Sequence, residues 1–383
     1  MKVLILGAAG GMSLATIKDL LATADASQII ISDLDQEKVA RRAKDLGDPR
    51  LVPLKLNVTE VDKVAEVMRG VDVVINASSY QFNLHAMRAA MQAGVPLIDL
   101  GGLYVMTRKQ LELHTEVAKS GILVIPGIGS DPGTSNVLGR YGAAKLDEVD
   151  EIQIRFGTNW SGQTFGFAIE TVLDEAVQQA VIFENGEYRE VPALSMSEEV
   201  VFREPIGSQK TFVILHSELA TLPQFIAGIK KVTYFDTWDP ATIQKIQSLS
   251  ALGLLSEKRV KLGDLETTLK KATIQLLAAA VTEEKPSEGW DDLKVTVKGT
   301  VDGKETAYCL EVMTKGSPGE GITPTAYSTG IPLSIVAQMI AKGEISGQGV
   351  LPPEACIPPE KYLAALTQRA IEVFETKTQT HPF

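Results

Sequence analysis

The chain has 383 residues, 44% of them hydrophobic and 22% charged, with a formal net charge of −11. That length suits two or three domains with full cores, and the acidity argues against a nucleic-acid partner, which asks for a basic face. Two cysteines, Cys309 and Cys356, exclude a disulfide framework and a metal cluster, and the N-terminal apolar run breaks at Gly7; a cytoplasmic chain without metal or membrane association is expected.

From the N-terminus, strand and helix patterns alternate. "KVLIL" (2–6) predicts a buried strand, "MSLATIKDLLATA" (12–24) a helix, "QIIIS" (28–32) a strand and "DQEKVARRAKDL" (35–46) a helix with Asp35 at its N-cap. Strands over 50–56 and 71–77 flank a helix over 60–70, and a helix over 83–94 ends at Gly94. A strand over 95–100, a helix from Thr107 to Ser120 and a strand over 122–126 complete six repeats. Uninterrupted apolar strands between helices predict an α/β fold, a doubly wound parallel Rossmann sheet covered on both faces.

After residue 148 the pattern becomes apolar–polar alternation, at "VDEIQIRFGT", "EEVVFREPI", "TFVIL" (211–215) and "DLKVTVKGTVDG" (292–303), with helices over 240–255 and 265–281. This predicts an α+β domain for substrate binding and dimerisation. A helix over 331–342, apolar on too many sides for a surface helix, follows, and one more helix is expected within 349–375.

The stretch "LILGAAGGMSLATI" (4–17) stands where a phosphate loop belongs. In the register Gly7-x-x-Gly10-x-x-Ser13, Gly7 makes the turn, Gly10 admits a pyrophosphate and the helix start at Gly11 and Met12 adds positive potential. Asp33, at the tip of the second strand, is placed to accept from ribose hydroxyls and repel a 2′-phosphate, which favours NAD over NADP.

"YGAAK" (141–145) has the Tyr-x-x-x-Lys spacing of short-chain dehydrogenases, but it follows a sixth strand and borders a new domain, so a plain helix face is the preferred reading of Tyr141 and Lys145. Four other segments resemble the saccharopine dehydrogenase-like family. These are "VDVVINASSYQFNLHAMRAAMQAGVPLIDLGG" (71–102), with serines where prolines often stand, "VIPGIGSDPGTSNVLGRYGA" (124–143), "TAYSTGIPLSIVAQMIAKGEI" (325–345) and "GVLPPEACIPPEKYLAALTQRAIEVFE" (349–375). The resemblance implies an NAD-dependent oxidoreductase acting on a C–N bond. Its first expectation is oxidative deamination of the lysine ε-amino group, and its alternative is imine reduction of the saccharopine reductase or carboxynorspermidine dehydrogenase type. An NAD(H)-binding sensor without turnover is the reading of another class. The resemblance also returns the 325–345 helix to the cofactor domain, so residues 1–135 with 325–383 are expected to form the NAD-binding domain and 136–324 the substrate domain, in a homodimer or higher oligomer.

Ligands of an open α/β sheet sit at the carboxyl ends of the strands. There Tyr80, Asp99 and Asp131 are the catalytic candidates, with His216 from the second domain for acid–base work. The cofactor site is expected from Gly7, Gly10, Gly11, Met12 and Asp33, with Asn57, Ala77, Ser78, Thr329 and Gly330. Arg155 and Arg203 are the candidates for pairing a substrate carboxylate, in an amino acid or polyamine.

Overall fold

The computed structural model describes residues 1–160, 168–280 and 288–380. Its first sheet is built from β1 (Lys2–Leu6), β2 (Gln28–Asp33), β3 (Leu51–Lys55), β4 (Val73–Asn76), β5 (Leu97–Asp99) and β6 (Leu123–Ile125). The order is β3-β2-β1-β4-β5-β6, all parallel, with the short strand Gly349–Val350 beside β6. Val3, Leu4 and Ile5 are fully buried, as are Val73, Val74 and Ile75, because helices cover both faces.

A mixed sheet forms the second layer system. Its main order is Ser197–Val201, Ser208–Val213, Lys231–Thr237, Glu148–Thr158, Trp290–Val301, Lys304–Lys315 and Glu372–Gln379, with Ala180–Glu184 and Glu187–Val191 attached at Lys231–Thr237. Helix Thr134–Ala143 leaves β6 and packs on one face of this sheet. Gly139 lies against Ile152, and a Cβ on Gly142 would sit 2.7 Å from a Val297 methyl, so backbone meets side chain directly there. Alternation along Glu148–Thr158 sends Ile152 and Ile154 to that face and Arg155 to the other.

Helix Pro324–Ala341 lies along the first helix, Gly11–Thr23. Leu333, Val336 and Ala337 are fully buried. Thr16 Oγ1 donates to the Gly330 carbonyl (2.8 Å), and Gln338 Nε2 to Thr23 Oγ1 (2.9 Å). A Cβ on Gly330 would lie 2.5 Å from the Met12 carbonyl oxygen, so this glycine sets the approach of two helices.

Several local expectations are corrected. The single helix from Thr107 to Ser120 is two, Leu103–Glu112 and His114–Lys119. The start of the helix expected over 265–281 is instead strand Leu265–Thr268, folded back on Arg259–Leu262 around Gly263 (φ +60°), and residue 281 is outside the described residues. The strands Ala180–Glu184 and Glu187–Val191 escape the alternation pattern, but Asn185-Gly186 between them, both at positive φ, is a hairpin signal. The tail is corrected too. After helix Pro359–Thr367, Glu372–Gln379 pairs with Lys304–Lys315 in the mixed sheet and so leaves the cofactor-side layer, because the open edge of that sheet offers it a full ladder. Among the described residues no helix is long and apolar enough to cross a membrane.

Candidate active site

The glycine loop has the geometry of the Gly7-x-x-Gly10 register. Gly7 is at φ +76°, and a Cβ there would stand 2.6 Å from the Ala77 carbonyl oxygen. Its carbonyl accepts from Gly10 N (3.1 Å) and from Ser13 Oγ (2.9 Å). Gly10 is extended and Gly11 opens the helix with free space above it, a cradle that fits a pyrophosphate against a helix N-terminus. Met12 points back into packing with Ile322 and Ala326. Asp33 accepts from Ala9 N and Asp35 N, both at 3.1 Å, which aims its carboxylate at the loop. Asp35 caps the following helix through Lys38 N.

Other cofactor candidates have local partners. Asn57 Oδ1 holds Thr59 in its own turn. Ala77 N donates to Leu6, and Ser78 Oγ donates to buried Asn76 (2.6 Å). The Thr329 methyl touches Gly129, while Gly330 belongs to the helix contact described above.

From this loop a continuous wall runs along the carboxyl ends of β1, β4, β5 and β6. Gly7 abuts Ala77 and Ser78, Gly102 abuts Tyr80, and Gly101 and Gly127 both abut Pro132, the neighbour of Asp131. The second domain meets this wall with acids. Tyr80 Oη donates to Asp174 (2.6 Å), which also pairs with Lys270 (2.5 Å). Burial and the Asp174 charge push the Tyr80 hydroxyl far up, so it stays protonated.

Asp131 accepts from Tyr234 Oη. The Tyr234 ring lies flat on the His216 imidazole, centroids 3.8 Å apart. His216 Nδ1 bonds to Glu218, whose other oxygen accepts from Ser135 Oγ (2.6 Å). Burial disfavours the charged imidazole, but Glu218, Asp131 and Glu175 outweigh it and raise His216 to about 9. Burial raises Asp131 to about 6, Glu175 to about 8 and Asp291 to about 7, and moves Asp236 well up. Asp291 is held by Thr158, Thr325 and Trp160. Asp131 and Asp236 are partly exposed; Glu175, His216 and Glu218 stand buried behind them. The arrangement is a cluster of buried and half-buried proton-exchanging groups beyond the end of the glycine cradle.

Three candidates lie elsewhere. Asp99 is fully buried and spent: it accepts from Gly101 N (2.7 Å), Gly127 N (3.1 Å) and Gln110 Nε2 (2.6 Å), tying the loops after β5 and β6 together. Arg155 donates to Glu198 and Thr233, and Arg203 to Glu311 (2.9 Å) while stacking on Phe374. Both lie on the sheet face opposite Tyr234, already neutralised. Lys145 pairs with Glu375 (2.5 Å) and covers the Tyr141 ring, which accounts for the Tyr-x-x-x-Lys spacing without chemistry. The acids Asp174, Glu175, Glu218, Asp236 and Asp291 were not anticipated, nor was Tyr234. Their positions, scattered over four elements, carry no common spacing.

A parallel 3-2-1-4-5-6 sheet with a glycine cradle, joined to an acid-lined second domain, defines a nicotinamide dinucleotide-dependent oxidoreductase. Residues 3–125 match the saccharopine dehydrogenase NADP binding domain and residues 129–371 the saccharopine dehydrogenase C-terminal domain. The chain belongs to the saccharopine dehydrogenase family. It is 23% identical to the carboxyaminopropylagmatine dehydrogenase of Synechocystis sp., over 100% of this chain and 99% of that protein. It is 25% identical to the carboxynorspermidine synthase of Vibrio alginolyticus, over 81% of this chain and 79% of that one. Its fold superposes on the saccharopine dehydrogenase (L-Glu forming) of Saccharomyces cerevisiae with a TM-score of 0.73 at 16% identity, covering 99% and 100% of the two chains.

Proposed function

We propose that the enzyme reduces an imine formed between a carboxylate-bearing carbonyl compound and a primary amine of a diamine or polyamine, giving a secondary amine, and that it prefers NAD. The observation that carries this is charge. Among the described residues, Asp131, Asp174, Glu175, Glu218, Asp236 and Asp291 face only His216 and Lys270 as cations in this cluster. Such a cluster suits a chain with several cationic nitrogens. The lysine ε-deamination first expected from the sequence uses the same proton chemistry, but it brings the substrate's own carboxylate among these acids with neither Arg155 nor Arg203 on that face. The relatives that span most of this chain carry names of polyamine precursors.

A nicotinamide dinucleotide, when bound, supplies or takes the hydride; Gly7, Gly10, Gly11 and Asp33 are the residues that hold it. Asp131 accepts a hydrogen bond from the substrate N–H and stabilises the iminium before reduction. In the reverse direction its carboxylate takes the proton from the secondary ammonium, leaving the neutral amine that hydride loss requires. Tyr234 holds Asp131 in place, and the His216 charge keeps it ionised. Tyr80, anchored by Asp174, walls the nicotinamide end. Asp33 disfavours a 2′-phosphate, so NAD outranks NADP by about tenfold, ~1.4 kcal/mol.

The test follows nicotinamide absorbance with keto acids or amino-acid semialdehydes mixed with diamines such as agmatine and putrescine, and in the reverse direction with lysine and saccharopine. Turnover only with the amine-plus-carbonyl mixtures supports the proposal. Turnover with lysine alone replaces it with ε-deamination, and tight NADH binding without hydride exchange anywhere replaces it with a sensor.

A further inference from the structure

Sequence spacing singles out Asp33 at the adenosine end. The fold adds a second charged residue. Helix Gln36–Leu46 turns Arg42 back over the glycine loop, where Nη1 donates to the Ala8 carbonyl and to the Gly10 carbonyl (2.9 Å). Nη2 and Nε make no hydrogen bond among the described residues. The guanidinium is within electrostatic reach of Asp33, whose carboxylate is aimed at the same loop through Ala9 N. Leu34, 63% exposed, continues the strand tip beyond them. One face of the ribose site thus carries an acid and an arginine together, with the arginine's outer edge open to a ligand.

We propose that Arg42 is a built-in partner for a 2′-phosphate, held in check by Asp33, so that the Asp33–Arg42 pair sets the choice between NAD and NADP. This rests on the dinucleotide reading of the loop. A planar fork with unused N–H groups pairs a phosphate bidentately, and Asp33 opposes the same anion from its other side. Arg42 is also partly buried, and burial lowers its pKa, so a bound anion would replace hydration that the guanidinium lacks.

The experiment is calorimetric titration with 2′,5′-ADP and with 5′-ADP, which isolates the ribose end, and with NADPH and NADH, for the wild type, Asp33→Ser, Arg42→Gln and the double variant. Circular dichroism checks that each is folded. Asp33→Ser is expected to raise affinity for 2′,5′-ADP and NADPH about tenfold or more, one charge-assisted pair's worth. In the Arg42→Gln background that gain should shrink to the part that comes from relief of the Asp33 repulsion alone. Arg42→Gln alone should weaken the 2′-phosphorylated ligands about tenfold while changing 5′-ADP and NADH by less than about threefold. An equal gain from Asp33→Ser with and without Arg42 overturns the proposal, as does an equal loss for all four ligands in Arg42→Gln, which would make Arg42 a brace of the loop. If the wild type binds none of the four, the dinucleotide reading falls first and the proposal with it.

Discussion

Replacing Glu218 with glutamine removes one charge from the centre of the site while keeping its shape. Glu218 has no exposed surface and joins Ser135 to His216. Burial by itself lowers the His216 pKa; the Glu218 charge and hydrogen bond are the largest of the opposing effects, ahead of Asp131 and Glu175. The histidine stands at about 9 against an ordinary 6.5. At 1.36 kcal/mol per unit that is on the order of 3 kcal/mol. A raised histidine contributes stability that is full below pH 6.5 and is lost as pH rises through about 9. Glu218→Gln removes the largest raising influence and should lower His216 toward its ordinary value. The variant should therefore be destabilised near pH 6 by up to about 3 kcal/mol, with the difference shrinking as pH approaches 9. Urea unfolding of both proteins across this range measures it, and two-dimensional NMR of the imidazole reports the titration itself. A stability difference that is flat from pH 6 to above pH 9 would refute the claim that Glu218 and His216 form a charged pair.

Other consequences follow from the same geometry. Asp131→Asn keeps an acceptor for Tyr234 but loses the proton acceptor; amine oxidation should fall by about 10²–10⁴-fold in kcat with thermal stability little changed, read from steady-state kinetics beside a melting curve. Since Asp131, Glu175 and Asp291 are raised to about 6, 8 and 7, a polycation that binds among them should release protons near pH 7. Calorimetry in two buffers of different ionisation enthalpy detects this; identical heats would contradict a cation-binding role for the cluster. Gly330→Val forces a side chain against the Met12 carbonyl and the Ala15 methyl. It should cost about 1–3 kcal/mol, visible as a lower denaturation midpoint with an unchanged urea slope.

The cofactor half of this protein was legible along the chain because its signals are local. A strand buried on both faces writes an apolar run, a phosphate cradle needs glycine where a Cβ would strike Ala77, and Asp33 follows directly from the end of β2. The all-round apolarity of residues 331–342 announced burial, though not its partner, the Gly11–Thr23 helix. Asp131 and His216 stood out by residue type and position; that Tyr234 joins them, one ring stacked and one hydroxyl bonded, depends on a strand 100 residues beyond Asp131. Arg155 illustrates the limit. Alternation with Ile152 and Ile154 separates two faces of its strand, but only the packing of helix Thr134–Ala143 decides which face belongs to the site. Asp99 and the carboxylates around His216 are all acids near strand ends or helices, alike in sequence. Partners divide them: Asp99 is saturated by two backbone amides and the Gln110 side chain, while the acids around His216 share too few cations, and that inequality arises only when distant segments are brought into one low-dielectric space.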